Sequence, residues 1–262
     1  MKTIVYTLFT LLTISLISCK KQTKGLALNN TPHKIKHWSY QGETAPKHWA
    51  EIEANTECDG LHQSPINIIH THTDSVKNRS DLKIHYSPST YIEKVNNNGH
   101  SIQFDFEIGD SIFYKNDIYY LKQIHFHEPS EHKINGIIYP IEIHLVHINK
   151  HGEISVLGIL GEEGNESQLF EFLESFLPLK NGDTKYIHKK IDLSSLFQHS
   201  KDYYTYNGSL TTPPCTENVN WILFKKPIIL SVEEILKLKN NMPVNNYRNE
   251  QALNDRTIRY HY

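Results

Sequence analysis

The sequence predicts a mainly β (α+β) single domain, on three observations. Strict two-residue alternation runs through Ser101-Ile102-Gln103-Phe104-Asp105-Phe106-Glu107-Ile108, the mark of a half-buried strand. Tyr119 to His127 and Ile141 to Asn149 are rich in Ile, Val and aromatics, and the apolar stretch Ile154 to Leu160 suits a strand covered on both faces. Helical spacing is confined to two short segments near Glu166 and Ser231. Sheet dominates, and helices decorate it.

The 262 residues carry Lys+Arg 27 against Asp+Glu 29, a net charge of −2, so no basic excess points to nucleic acid and no acidic block to a solvating tail. Aromatics at 11% argue against intrinsic disorder, and 17 His stand out because imidazole is the side chain most used for metals and for proton transfer near neutrality.

Taken in chain order, Met1-Lys2 precedes an apolar run from Ile4 to Ile17. It falls short of the roughly 20 residues that cross a bilayer as a helix, and fits the core of a signal peptide. Leu16-Ile17-Ser18-Cys19 resembles a bacterial lipobox, in which the Cys becomes the lipid-modified first residue of the mature chain. The expected organisation is therefore a signal peptide at 1–18, a lipid-anchored polar spacer at 19–36 and one globular domain at 37–262. The expected location is the cell envelope, held to a membrane through Cys19. Assigning Cys19 to the lipid leaves Cys58 and Cys215, which are either a disulfide in an oxidising compartment or two free thiols.

Within the domain, Asn135-Gly136 is a turn signal between two strand candidates. Glu166 to Phe176 places Leu169, Phe170, Leu173 and Phe176 at helical spacing. Ser231-Val232-Glu233-Glu234 looks like an N-cap with Glu at the third helical position, ahead of Ile235, Leu236 and Leu238.

Metal-site spacing appears in Gln123-Ile124-His125-Phe126-His127. Side chains at i and i+2 of a strand share a face, about 6–7 Å apart, near enough for two imidazoles to share a Zn²⁺ ion if the strand twists. A third ligand must come from a neighbouring strand, and Glu142-Ile143-His144-Leu145-Val146-His147 offers His144. Each ligand needs a partner for its other nitrogen, and Gln123 and Glu142 stand two residues before His125 and His144, on the right faces. By spacing alone, core or surface histidines remain the other reading. His70-Thr71-His72 has the same spacing among Thr and Asp without such a partner, and reads as a solvated loop or edge.

These segments, with others in the same order, resemble the α-class carbonic anhydrases. The matching stretches are His37-Trp38-Ser39-Tyr40, Gln63-Ser64-Pro65-Ile66-Asn67, Asn97-Asn98-Gly99-His100, Gln123 to His127, Ser130-Glu131-His132, Glu142 to His147 and Gly208 to Glu217. The resemblance implies a large twisted, mostly antiparallel central sheet with short peripheral helices. It implies a zinc lyase that reversibly hydrates carbon dioxide to bicarbonate and a proton through zinc-bound hydroxide. Carbonic anhydrases are themselves the reference case of an open three-histidine zinc site.

On that resemblance His125, His127 and His144 hold Zn²⁺, with Gln123, Glu142 and the backbone carbonyl of Asn246 behind them. Thr211 orients the hydroxide and passes its own proton to Glu131, Tyr40 orders active-site water, and His100 is the proton shuttle. Val146, Val156, Leu210, Thr212 and Trp221 match the substrate pocket, and Cys58 and Cys215 match the disulfide of exported members. Three positions depart from the common pattern: Glu128-Pro129 follows the ligands, Gln103 stands for a frequent Asn, and no proline follows Arg248. A non-catalytic surface module on the same fold is the other functional class. Relatives of that kind have lost a zinc ligand, whereas all three histidines, Thr211 and Glu131 are present here.

Overall fold

The computed structural model describes residues 37–52, 55–78, 81–197 and 201–262. The segments expected to be a signal peptide (1–18) and a lipid-anchored spacer (19–36, with Cys19) lie outside the described residues. The alternating and apolar runs assemble into one mixed sheet of 13 strands. From one edge its order is Thr184–Ile191, Thr90–Asn97, Ile102–Phe106, Asp117–His127, Ile141–Asn149, Ile154–Glu163, Glu217–Phe224, Tyr203–Ser209, Arg259–His261 and Asp74–Val76. Neighbours are antiparallel, except that Ile154–Glu163 runs parallel to Glu217–Phe224 and to the short Ile228–Leu230, and Arg259–His261 runs parallel to Asp74–Val76. The strands expected at Ser101–Ile108 and Ile154–Leu160 shift only at their ends, to Ile102–Phe106 and Ile154–Glu163.

Among the described residues the α-helices are α1 (Trp49–Ile52), α2 (Gln168–Glu174) and α3 (Val232–Lys239). α3 starts where the capping pattern placed it: Ser231 Oγ accepts from Glu234 N at 3.2 Å, and Glu234 Oε2 accepts from Ser231 N at 2.7 Å. Asn135 and Gly136 have φ of 51° and 79°, the left-handed pair that an Asn-Gly hairpin turn requires. His70–His72 is one 3-10 turn at the surface, and its imidazoles take no part in the His125 cluster.

One sheet face is dry. Ile102, Phe104, Ile124, Phe126 and Leu145 pack there against Phe170 and Leu173 of α2 and Ile235 and Leu238 of α3. Each such side chain contributes roughly 1.5–3 kcal/mol by leaving water. The opposite face carries the site, and a bulge decides what it displays. Leu121 pairs with His147 but Gln123 with Val146, so one extra residue sits at Lys122. Before it, odd-numbered Tyr119 and Leu121 face the core; after it, even-numbered Ile124 and Phe126 do, and Gln123, His125 and His127 turn to the other face.

Candidate active site

Register brings the ligand candidates together. His125 lies opposite His144, His127 opposite Glu142, and Val146 opposite Val156. Gly158 pairs with His144, and a Cβ there would meet Leu223 Cδ1 at 2.6 Å and Glu142 Oε1 at 3.3 Å, so the glycine lets both approach.

Each imidazole spends one nitrogen on a fixed acceptor. His125 Nδ1 donates to Gln123 Oε1 at 2.8 Å, His127 Nδ1 to the Asn246 carbonyl at 2.6 Å, and His144 Nε2 to Glu142 Oε1 at 2.8 Å. Those partners set the tautomers and leave lone pairs on His125 Nε2, His127 Nε2 and His144 Nδ1. Ligand nitrogens of the three lie within 4.8 Å of one another. His125 Nε2 and His144 Nδ1 are 3.3 Å apart, and His127 Nε2 is buried with no hydrogen-bond partner among the described residues. Two acceptors facing each other at that separation suit a cation between them, since nitrogens about 2.0–2.1 Å from a tetrahedral centre lie roughly 3.3 Å apart. Burial, then the neighbouring imidazoles, holds His125 well below its ordinary pKa; burial also pulls His127 down to about 4 and lowers His144. All three are neutral near pH 7, the state that binds metal.

Glu142 anchors this wall. Burial alone would raise its pKa, but His132 and His144 on Oε1 (2.7 and 2.8 Å), with the Glu131 and His132 amides on Oε2 (2.9 and 2.7 Å), hold it well below the carboxylate range. His132 passes on to the Tyr206 hydroxyl, and the Trp221 ring lies 4.8 Å from His144 and 4.7 Å from His132.

Glu131 behaves differently. Its Oε1 accepts from Arg248 N at 2.8 Å, while Oε2 has no bond of good geometry and sits 3.6 Å from His127 Nε2. Burial lifts it to about 7 against the opposing pull of His144 and of the Thr211 hydroxyl. Thr211 is buried, Leu210 and Thr212 are half-buried, and Val146, Val156 and Trp221 form the apolar side. The Tyr40 hydroxyl is enclosed and unpartnered among the described residues, and burial, with Glu131 nearby, raises its pKa.

Cys58 and Cys215 form a disulfide that fastens the Glu57–Cys58 segment to the loop carrying Thr211. Glu57 N donates to Pro214 O at 2.9 Å, and Cys215 N to Thr212 O at 2.8 Å. The Asn246 carbonyl reaches His127 without a proline after Arg248. Gln103 is drawn along the cavity wall: its amide donates to Asp105 Oδ1 at 2.6 Å and accepts from Asn98 at 3.3 Å. His100 stands apart from the three histidines, against Trp38 and His37. A relay near neutrality was expected there, but in this position burial and His37 pull His100 down to about 4.

Sequence reasoning missed Arg248. Its guanidinium donates to Gln63 Oε1 (2.7 Å), Ser64 O (3.0 Å) and Cys58 O (2.8 Å) while its amide holds Glu131, joining the disulfide loop to the site. A single arginine near the C-terminus carries no local signal of that reach. A polar cleft of about 660 Å³ beside Lys115, Asp117 and Glu153 shares no residue with this site.

The family model for eukaryotic-type carbonic anhydrase matches residues 44–262. The chain belongs to the α-carbonic anhydrase family. A carbonic anhydrase of Klebsiella pneumoniae is 38% identical over 241 residues, covering 89% of this chain and 95% of that protein. One of Neisseria gonorrhoeae is 33% identical over 256 residues, 96% of this chain and 97% of its own length. The α-carbonic anhydrase of Thermovibrio ammonificans, solved with the inhibitor sulfanilamide, superposes with a TM-score of 0.81 at 37% identity, covering 85% of this chain and 98% of that one. As expected for a carbonic anhydrase, the fold is a large sheet carrying the histidine cluster near its centre.

Proposed function

We propose that this protein is a zinc-dependent carbonic anhydrase that interconverts carbon dioxide and bicarbonate, with His125, His127 and His144 as the metal ligands. The observation that carries the reading is the set of three neutral imidazoles whose free nitrogens converge within 4.8 Å, each ring fixed by Gln123, Asn246 or Glu142. Zn²⁺ held there supplies a Lewis acid that activates water near neutral pH.

The remaining work falls to the chain's own side chains. Carbon dioxide is small and apolar, and Val146, Val156, Leu210 and Trp221 offer it an apolar wall, with Thr212 at its edge. The Thr211 hydroxyl donates its hydrogen bond to the Glu131 carboxylate. With that proton committed, Thr211 Oγ1 is only an acceptor towards the cavity. It therefore selects an attacking oxygen that still carries hydrogen and turns its lone pair towards carbon, which lowers the orientation part of the barrier. Tyr40 donates to cavity water, and His100 carries the product proton outward. The domain at 37–262 is the enzyme, and segments 1–18 and 19–36 export it and tether it to the cell envelope through a lipid on Cys19.

A stopped-flow carbon dioxide hydration assay on the purified protein, before and after a zinc chelator, tests the reading. Rapid hydration lost with the metal and restored by Zn²⁺ supports it; hydration no faster than buffer with Zn²⁺ bound overturns it.

A further inference from the structure

The segment that presents Asn246 to His127 is fastened to the ligand strand twice. Lys239, in the last turn of α3, places Nζ 2.7 Å from Glu128 Oε1, and Glu128 directly follows His127. The Glu128 side chain is 11% exposed, and its Oε2 has no hydrogen-bond partner among the described residues, so Lys239 is the cation that answers this carboxylate. The chain then returns at the fully buried Asn246. Its carbonyl accepts from His127 Nδ1 at 2.6 Å and its Oδ1 from Glu128 N at 2.8 Å, while Nδ2 donates to the carbonyls of Phe126 and His100, each at 2.9 Å. Both ends of the 240–246 connection thus meet the same dipeptide, His127-Glu128, one through charge and the other through hydrogen bonds.

We propose that Glu128 and Lys239 are positioning residues for the metal centre: their ion pair fixes the path of the 240–246 segment, keeps the Asn246 carbonyl on His127, and slows loss of the metal. The inference rests on the Zn²⁺ reading above. A short connection tied at both ends has one geometry. Freed at the Lys239 end, the last turn of α3 frays, the bond to His127 lengthens, and the imidazole samples orientations that do not point Nε2 at the metal. Groups that orient a metal-bound histidine typically act on affinity in this way. The same helix carries a second pair, Lys237 with Glu174 of α2 at 3.3 Å, which does not touch the ligand strand. It separates helix stability from the tie itself.

The test loads the full protein with Zn²⁺, adds excess chelator, and follows zinc release with a coloured indicator beside thermal melting. Replacing Lys239 alone would strand a buried carboxylate, so the main variant is Glu128→Gln with Lys239→Met, which removes both charges together. It is expected to release Zn²⁺ about tenfold faster than the parent, while Lys239→Arg, which keeps the cation, stays within about twofold. Lys237→Met is expected to lower the melting temperature without changing zinc release. If the double variant does not fold, Glu128→Asp decides instead: it keeps both charges but shortens the tie, and should speed release about threefold or more. Parent-like release in the deciding variant, or equal acceleration in Lys237→Met, overturns the inference. A parent that takes up no Zn²⁺ removes the functional reading and this inference with it; a parent that binds Zn²⁺ while the variants release it normally removes the inference alone.

Discussion

Trp38 and His100 lie face to face, their ring centroids 3.6 Å apart and their planes 14° from parallel. His100 Nε2 also approaches His37 Nε2 to 3.2 Å, and burial together with His37 pulls His100 down to about 4. Parked on the indole it is neutral near pH 7 and a poor proton acceptor. To relay protons it must swing towards the cavity, where water solvates its charged form. His100→Ala should therefore lower kcat about tenfold or more in weak buffer, with kcat/KM nearly unchanged because the relay acts after carbon is attacked. Added imidazole should restore much of the rate. His37→Ala should raise the His100 pKa, read by NMR titration. Equal rates in weak and strong buffer for His100→Ala would remove His100 from the mechanism.

His144→Ala should abolish hydration and most zinc binding. It removes one of three ligand nitrogens, and with it the donor side of the Glu142 contact. Zinc per protein by elemental analysis, measured beside activity, checks this. Near-normal zinc content with intact activity would sink the ligand assignment.

His147 gives the fold an acid sensitivity. It is buried on the core side, donates Nδ1 to Leu145 O at 2.9 Å and meets the Tyr86 hydroxyl at 2.7 Å through Nε2. Burial lowers its pKa from 6.5 to about 4. Above pH 6.5 neither the folded nor the unfolded chain protonates it. Between 6.5 and 4 only the unfolded chain does, so stability falls with pH across that window, by about 3 kcal/mol in total. Urea unfolding at several pH values should show a shallower acid loss in His147→Gln than in the parent. Identical slopes would refute this.

The Cys58–Cys215 disulfide closes a loop of sequence separation 157. Loop entropy for that length gives about 5 kcal/mol, and loss of a native bridge typically costs about 2–5 kcal/mol. Cys58→Ser with Cys215→Ser should show that loss in urea midpoints. kcat/KM should fall as well, because the bridge steadies the loop that carries Thr211. Unchanged activity would mean that the Thr212–Cys215 turn and the Arg248 contacts hold the loop alone.

Cys19→Ser should release the mature protein from membranes or leave it unprocessed. Fractionation of cells expressing parent and variant checks this, and unchanged detergent dependence would show that something other than Cys19 holds the protein.

Much of the site was legible in the sequence because its signals are local. Gln123, His125 and His127 share a face through the two-residue repeat of a strand, Glu142 stands in the same relation to His144, and Ser231 with Glu234 marks a helix start by backbone bonding alone. What the sequence by itself determined is which residue types recur on one face of a strand and where a helix or turn begins. Only the tertiary structure decided which face that is. The bulge at Lys122 reverses the alternation within one strand, and Ile141–Asn149 is buried almost throughout, polar Glu142, His144 and His147 included, so its own pattern does not say which face meets the core. The reach of Arg248 across to Cys58, the four bonds of Asn246 and the parking of His100 on Trp38 join residues distant in the chain. Such contacts exist only once the whole sheet has packed, because burial and register, not local propensity, set the distances between them.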